Sequence, residues 1–298
     1  MSYRRLATTI ALLVATSVAS QSAQRPPIYS ISHVRIRVIE FEDGLSFYAN
    51  TLGLPQEKQA CDYTIGACFR VNADQLLQLH IADGQPPRDL VEEVAFRTSD
   101  VSLMSKYLAA RGLHPGPIEN HAGSAATIAV TDPDGHRIVF EQSAPAQFQR
   151  SEHTVSTHLI HAGFVVHDRA AEDHFYKDIL GFRRYWHGGM KDDEDNWVSI
   201  QVPDGSDWLE YMLRIPDDAD KRLLGIMNHV ALGVSDIHAA QQQLLKNGWK
   251  PGEEPKIGRD GKWQLNVYDP DQTRVEFMEF TPVQKPCCSD FTGPHPKP

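Results

Sequence analysis

A strand-helix-strand pattern recurs four times along the 298 residues, and a chain assembled from repeated supersecondary units has few folds open to it. The opening strands are residues 33–38, 93–100, 161–168 and 229–236, with starts 60, 68 and 68 residues apart. Each leads into an amphipathic segment that ends at a glycine followed by a hydrophobic residue: Gly53-Leu54, Gly112-Leu113, Gly181-Phe182 and Gly248-Trp249. Glycine at that place suits a helix C-terminus that turns left-handed. Short alternating segments follow and close at residues 76–81, 137–141, 208–213 and 274–280, so the unit reads as strand, helix and about three strands.

The polar segment 143–157 separates the second and third copies and marks the domain boundary, giving domains at 30–142 and 158–281. Residues 282–298 carry five prolines and read as an extended, loosely attached tail. Residues 1–20 differ in kind. Arg4 and Arg5 precede an apolar run, and Val18-Ala19-Ser20 offers small residues for cleavage, so this segment reads as a signal peptide and the protein as periplasmic or secreted. Losing those two arginines takes the formal charge from -10 to -12, which argues against nucleic-acid binding, and without the signal nothing suggests a membrane partner. Cys61, Cys68, Cys287 and Cys288 show neither CxxC nor Cys/His metal spacing and read as structural. Three pairings are open to them, a cross-strand Cys61–Cys68 bridge around a turn at Ile65-Gly66 being one.

The four units, the turns Asp132-Pro133-Asp134-Gly135 and Asp269-Pro270-Asp271-Gln272, and the histidine and glutamate positions described below resemble the vicinal oxygen chelate superfamily. That family includes glyoxalase I, fosfomycin-resistance proteins and extradiol dioxygenases, and the resemblance covers residues 30–281. It implies an α+β fold in which βαβββ modules pair into two curved, open-barrel domains, with a divalent metal inside the curve. Modules 1+2 and 3+4 could pair, or 1+4 and 2+3.

Residues two apart on a strand share a face, so the direction of each candidate ligand can be read. Val230, Leu232 and Val234 form a packing face and leave His229, Ala231 and Gly233 on the other; Ala162, Phe164 and Val166 do the same for His161 and Gly163. In the closing strands Glu210 and Glu276 face the hollow. The order His161, Glu210, His229, Glu276 resembles the metal set of bacterial glyoxalase I, and two imidazoles with two carboxylates suit Zn, Ni, Mn or Fe(II). The first two copies keep His33 but carry Gln78, Glu93 and Val139 at the matching places. With Arg35, Arg37 and Arg97 facing the same hollow, that half reads as an ion-paired scaffold, or alternatively as a receptor for an anionic group.

The resemblance implies a metal-dependent lyase or isomerase of the glyoxalase type, acting on a small-molecule substrate with vicinal oxygens through a stabilised enediolate, and the signal at 1–20 makes it an exported one. Glu276 or Glu210 would move the proton, with Glu276 placed first. The glutathione adduct used by glyoxalase I itself is cytoplasmic, which argues against that substrate. One alternative is an Fe(II) extradiol ring-cleaving dioxygenase using His161, His229 and Glu276; against it, Asn266 stands where such enzymes carry a tyrosine. The other is a non-catalytic small-molecule binding protein. His187-Gly188-Gly189 reads as a loop, and a monomer and a homodimer are both open.

Overall fold

The computed structural model describes residues 24–57, 66–81, 89–121 and 125–298; the signal-peptide reading of 1–20 and the Cys61 half of the proposed bridge lie outside them. Module 1 comprises β1 (Ile28–Val38), α1 (Phe41–Ser46, continued by a π-helical turn Phe47–Thr51), β2 (Gln56–Glu57), β3 (Gly66–Arg70) and β4 (Leu76–Ile81). Module 2 comprises β5 (Val91–Thr98), α2 (Val101–Ala110), β6 (Glu119–Asn120), β7 (Ala126–Thr131) and β8 (Arg137–Gln142). Module 3 follows with β9 (Leu159–Val166), α3 (Arg169–Asp173, continued by His174–Ile179), β10 (Arg183–Gly188), β11 (Trp197–Gln201) and β12 (Trp208–Leu213). A short α4 (Lys221–Met227) leads to module 4: β13 (His229–Val234), α5 (Ile237–Lys246), β14 (Lys256–Ile257), β15 (Trp263–Tyr268) and β16 (Arg274–Glu279).

Local chemistry sets these boundaries. The aspartates that end three opening strands become helix N-caps: Asp100 accepts from Leu103 N, Asp168 from Ala171 N, and Asp236 from His238 N and Ala239 N. Each such cap is worth about 1 kcal/mol. At the other helix ends Gly53, Gly112, Gly181 and Gly248 all adopt positive φ, from 68° to 92°, as their positions after the helices require.

Modules 1 and 2 share one eight-stranded sheet, ordered β2-β3-β4-β1-β5-β8-β7-β6, and modules 3 and 4 share the other, ordered β10-β11-β12-β9-β13-β16-β15-β14. This selects the 1+2 and 3+4 pairing, with antiparallel joins at β1–β5 and β9–β13. The two sheets pack through one continuous apolar core, in which Phe96 of β5 meets Phe182, just after the module 3 helix, edge to face at 5.3 Å.

The domains also hold each other reciprocally. Tyr48 of module 1 donates to Asp269 of module 4 at 3.2 Å, and Tyr176 of module 3 donates to Asp132 of module 2 at 3.0 Å. In the same turns Asp271 Oδ2 accepts Ile39 N at 2.7 Å and Asp134 Oδ2 accepts His167 N at 2.6 Å. Each domain's Asp-Pro-Asp turn therefore grips the first helix of the other domain. Segment 143–157 lies along this junction, with Val155 N donating to Leu52 O and Thr154 Oγ1 to Gly53 O.

Two expectations change. Residues 282–298 are not loose: Thr292 N donates to Tyr185 O, the Gln201 amide donates to Pro294 O at 2.8 Å, and the Phe291 ring packs at a tilt on Tyr185 with centroids 4.8 Å apart. Apolar contact outweighs the prolines' lack of amide donors, because proline carbonyls still accept. His187 and Gly188 belong to strand β10, since antiparallel pairing with Val198 and Trp197 extends the strand past the point where glycine suggested a loop. Cys287 and Cys288 are joined to each other, and Cys68 is also disulfide-bonded.

Candidate metal centre

Four adjacent strands, β12, β9, β13 and β16, each carry one of the candidate ligands. Their register sets the row: Glu210 pairs with Gly163, His229 also with Gly163, Ala231 with His161, and Ala231 with Glu276. Side-chain alternation turns all four to the concave face, as the strand pattern predicts. His161 Nε2 and His229 Nε2 face each other at 3.0 Å; Glu276 Oε2 lies 3.5 Å from the first and 3.8 Å from the second, and Glu210 Oε2 lies 3.6 Å from His229 Nε2.

The second shell prepares this cluster unequally. His229 Nδ1 donates to Met227 O at 2.8 Å, so its Nε2 is the lone-pair nitrogen facing the cluster. His161 Nδ1 is buried without a partner, and its ring is instead held against Trp208 at 4.7 Å. Gly163 leaves room for the site: a Cβ there would lie 2.0 Å from His229 Cε1.

Electrostatics fit a cation. Both imidazoles are fully buried, and burial pushes both below the ordinary histidine range, His229 well below, helped by the Arg274 charge. Burial, then the charge of Glu276, pushes Glu210 up to about 8. Burial acts upward on Glu276 as well, but Arg274 and the His161 contact hold it below its usual value. Two neutral imidazole nitrogens 3.0 Å apart with two carboxylate oxygens beside them make an N2O2 donor set that fits Zn, Ni, Mn or Fe(II).

Above the cluster opens a cavity of about 340 Å³. Its module 3 wall is aromatic, with Tyr185, Trp186, Trp197 and Trp208, and its module 4 wall is polar, with Lys256, Gln264, Asn266 and Arg274. Just behind the aromatic wall, and missed by sequence reasoning, is Lys262. It is fully buried, its Nζ sits 4.7 Å from the Trp208 ring, 5.1 Å from Phe291 and 5.4 Å from Tyr185, and burial lowers it to about 8. A lysine just before a strand that opens with a tryptophan gives no sign in sequence that tail residues will cage it.

The N-terminal hollow is built on the same positions but is closed by its own charges. His33 Nε2 donates to Glu93 at 2.8 Å and Nδ1 to Glu141 at 3.0 Å. Burial opposes protonation, but the two carboxylates outweigh it and raise His33 to about 9. Arg35 and Arg137 also meet Glu93, Arg37 meets Glu92, and Arg97 meets Asp74. Each of those arginines meets a carboxylate, as the ion-paired scaffold reading expects, while Arg37 Nε is buried without a partner.

A family model described as the Glyoxalase/Bleomycin resistance protein/Dioxygenase superfamily matches residues 30–140 and 158–277. The chain belongs to that superfamily. Solved glyoxalase-superfamily structures share its fold at low identity. The 2,3-dioxygenase LapB from Pseudomonas sp. KL28 aligns with a TM-score of 0.67 at 18% identity, over 92% of this chain and 96% of that one. The Mn(II)-bound glyoxalase from Novosphingobium aromaticivorans aligns at 0.65 and 18%, over 85% and 83%. Homoprotocatechuate 2,3-dioxygenase from Brevibacterium fuscum aligns at 0.64 and 18%, over 93% and 86%. No curated protein matches the chain.

Proposed function

We propose that the protein is an exported, metal-dependent lyase or isomerase of the glyoxalase type, with His161, Glu210, His229 and Glu276 as the ligands of one divalent ion. The observation carrying this reading is that Glu210 stands with both histidines: its Oε2 lies 3.6 Å from His229 Nε2, donor atoms of His161, Glu210 and His229 lie within 4.8 Å of one another, and Glu276 Oε2 approaches the same two nitrogens at 3.5 and 3.8 Å. A bound divalent ion supplies Lewis-acid polarisation of vicinal oxygens on a small substrate. The rest of the chemistry falls to this chain. Glu276 is nearly fully buried and contacts both histidines, whereas the Glu210 side chain is 14% exposed and otherwise meets only Ser199, at 3.5 Å. Glu210 is therefore the carboxylate free to take a proton from substrate, and this reverses the preference for Glu276 that sequence alone suggested. Asn266, in the place where a ring-cleaving relative would carry a phenol, has no acidic proton to offer.

Metal analysis of untagged protein tests the reading. About one equivalent of a transition metal is expected; less than about a tenth, even after reconstitution, sinks it in favour of a binding protein. Replacing Glu210 by Gln should weaken metal retention, and unchanged retention would point to the three-ligand alternative. The export component rests on residues 1–20, and finding the uncut chain in the cytoplasmic fraction would remove it.

A further inference from the structure

Arg274 is the anomaly of the pocket. It lies on β16 two residues before Glu276, on the same face, and lines the cavity, yet it makes no hydrogen bond or ion pair, and its Nε is buried without a partner. A guanidinium has five fixed donors, and leaving a buried one unmade is costly.

The other domain shows what this position normally does. Arg137 occupies the matching place on β8, opposite Glu93 on β5, and donates to it at 2.6 Å. Arg274 stands opposite His229 on β13. Where module 2 meets a carboxylate, module 4 meets an imidazole, so the same arginine has lost its internal anion.

Charge accounting leads to the same residue. Lys256 pairs with Glu253 at 3.1 Å, Arg259 pairs with Asp192, and Lys262 has Asp260 beside it. Glu210 and Glu276 together match one divalent ion. Arg274 then remains the one uncompensated cation among the described residues lining the cavity. Facing it is the wall of Tyr185, Trp186, Trp197 and Trp208, which offers flat π surface for a planar ligand.

We infer that Arg274 is the specificity-determining residue of this pocket, receiving the carboxylate of a planar, aromatic substrate whose body lies against the tryptophan wall. The inference rests on the proposed metal site for the orientation of the substrate's other end. The competing account is that Arg274 only offsets Glu210 and Glu276 through space, in which case anionic and neutral ligands should bind alike.

Titration calorimetry on the full chain loaded with Zn(II) separates the two. The probes are 3,4-dihydroxybenzoate and catechol, which share their chelating oxygens and differ in the carboxylate. The wild type should bind the acid about tenfold or more tightly, the usual return from a charge-assisted bidentate contact. Arg274→Gln should reduce that preference to within about twofold, read as the ratio of the two affinities on protein whose zinc content is measured alongside, and Arg274→Lys should keep part of it. Equal affinities in the wild type, or an equal loss of both ligands in Arg274→Gln, would overturn the inference, and the wild-type comparison stands even if a variant fails to fold. On metal-free protein, benzoate against benzyl alcohol repeats the question without the ion. An Arg274-dependent preference there, in a chain that takes up no metal, would sink the enzyme reading but keep this one; no preference would overturn this one as well.

Discussion

The two hollows of this protein start from the same histidine and reach opposite solutions. In the N-terminal one His33 is held between Glu93 and Glu141, so the buried cation is an imidazolium supplied by the chain, with Arg35 and Arg137 adding to it. In the C-terminal one the matching His161 meets a second neutral imidazole at 3.0 Å, and among the described residues the carboxylates beside them have no protein cation within ion-pairing distance apart from the histidines themselves. One scaffold thus gives a self-neutralised hollow where a glutamate faces the histidine, and a cation-accepting hollow where a histidine does. Three positions separate them: Glu93 against His229, Gln78 against Glu210 and Val139 against Glu276.

The largest expected effect that would break this comparison is on stability. His33→Ala should cost about 3–5 kcal/mol in denaturant unfolding, because it removes the buried cation that bridges Glu93 and Glu141, while metal content should not change. A cost below about 1 kcal/mol would mean that the N-terminal charges are not an obligate network.

Metal affinity comes next. His229→Ala or Glu276→Ala should weaken binding by about 100-fold or more, read by competition with a chromophoric chelator, with little loss of stability in the metal-free protein. Weakening of metal binding by His33→Ala to the same extent would erase the contrast between the hollows.

The pH dependence sharpens it. His33 is raised from 6.5 to about 9 in the folded chain, so its contribution is complete below pH 6.5 and is lost as pH rises to about 9. The loss is on the order of 3 kcal/mol, and a thermal melt series in His33→Ala should be flatter over that window. Glu93, lowered to about 2, acts with the opposite slope: its contribution is complete above about 4.5 and is lost as pH falls towards 2. The smallest effects concern the junction, where Tyr48→Phe and Tyr176→Phe should each cost about 0.5–1.5 kcal/mol and match each other closely.

Much of this contrast was legible in the sequence, for a definite reason. Strand alternation has a period of two, and the one register shift between β9 and β13 falls after Ala231, beyond the histidines, so the facing of His161, Glu210, His229 and Glu276 followed once the repeats were aligned. The absence of ligands at Gln78, Glu93 and Val139 was equally plain. What did not follow were features set by contacts between distant segments. Lys262 becomes a caged cation only because Phe291, from a tail rich in proline, folds back over Trp208 and Tyr185. The pairing of modules within sheets was open because every module carries the same edges. Arg274 was visible as a hollow-facing residue, but its lack of a partner could be seen only against Arg137.

The reciprocal grip between the Asp-Pro-Asp turns and the two tyrosine-bearing helices makes the chain a pseudo-twofold pair tied by one covalent thread. In a dimer of identical subunits, every substitution arrives in both hollows at once, and a glutamate that fills one would extinguish the other. Fusion lifts that constraint. The tether at residues 143–157 lets one half keep its chelating residues while its twin becomes ballast, so asymmetry of sequence is built on symmetry of shape.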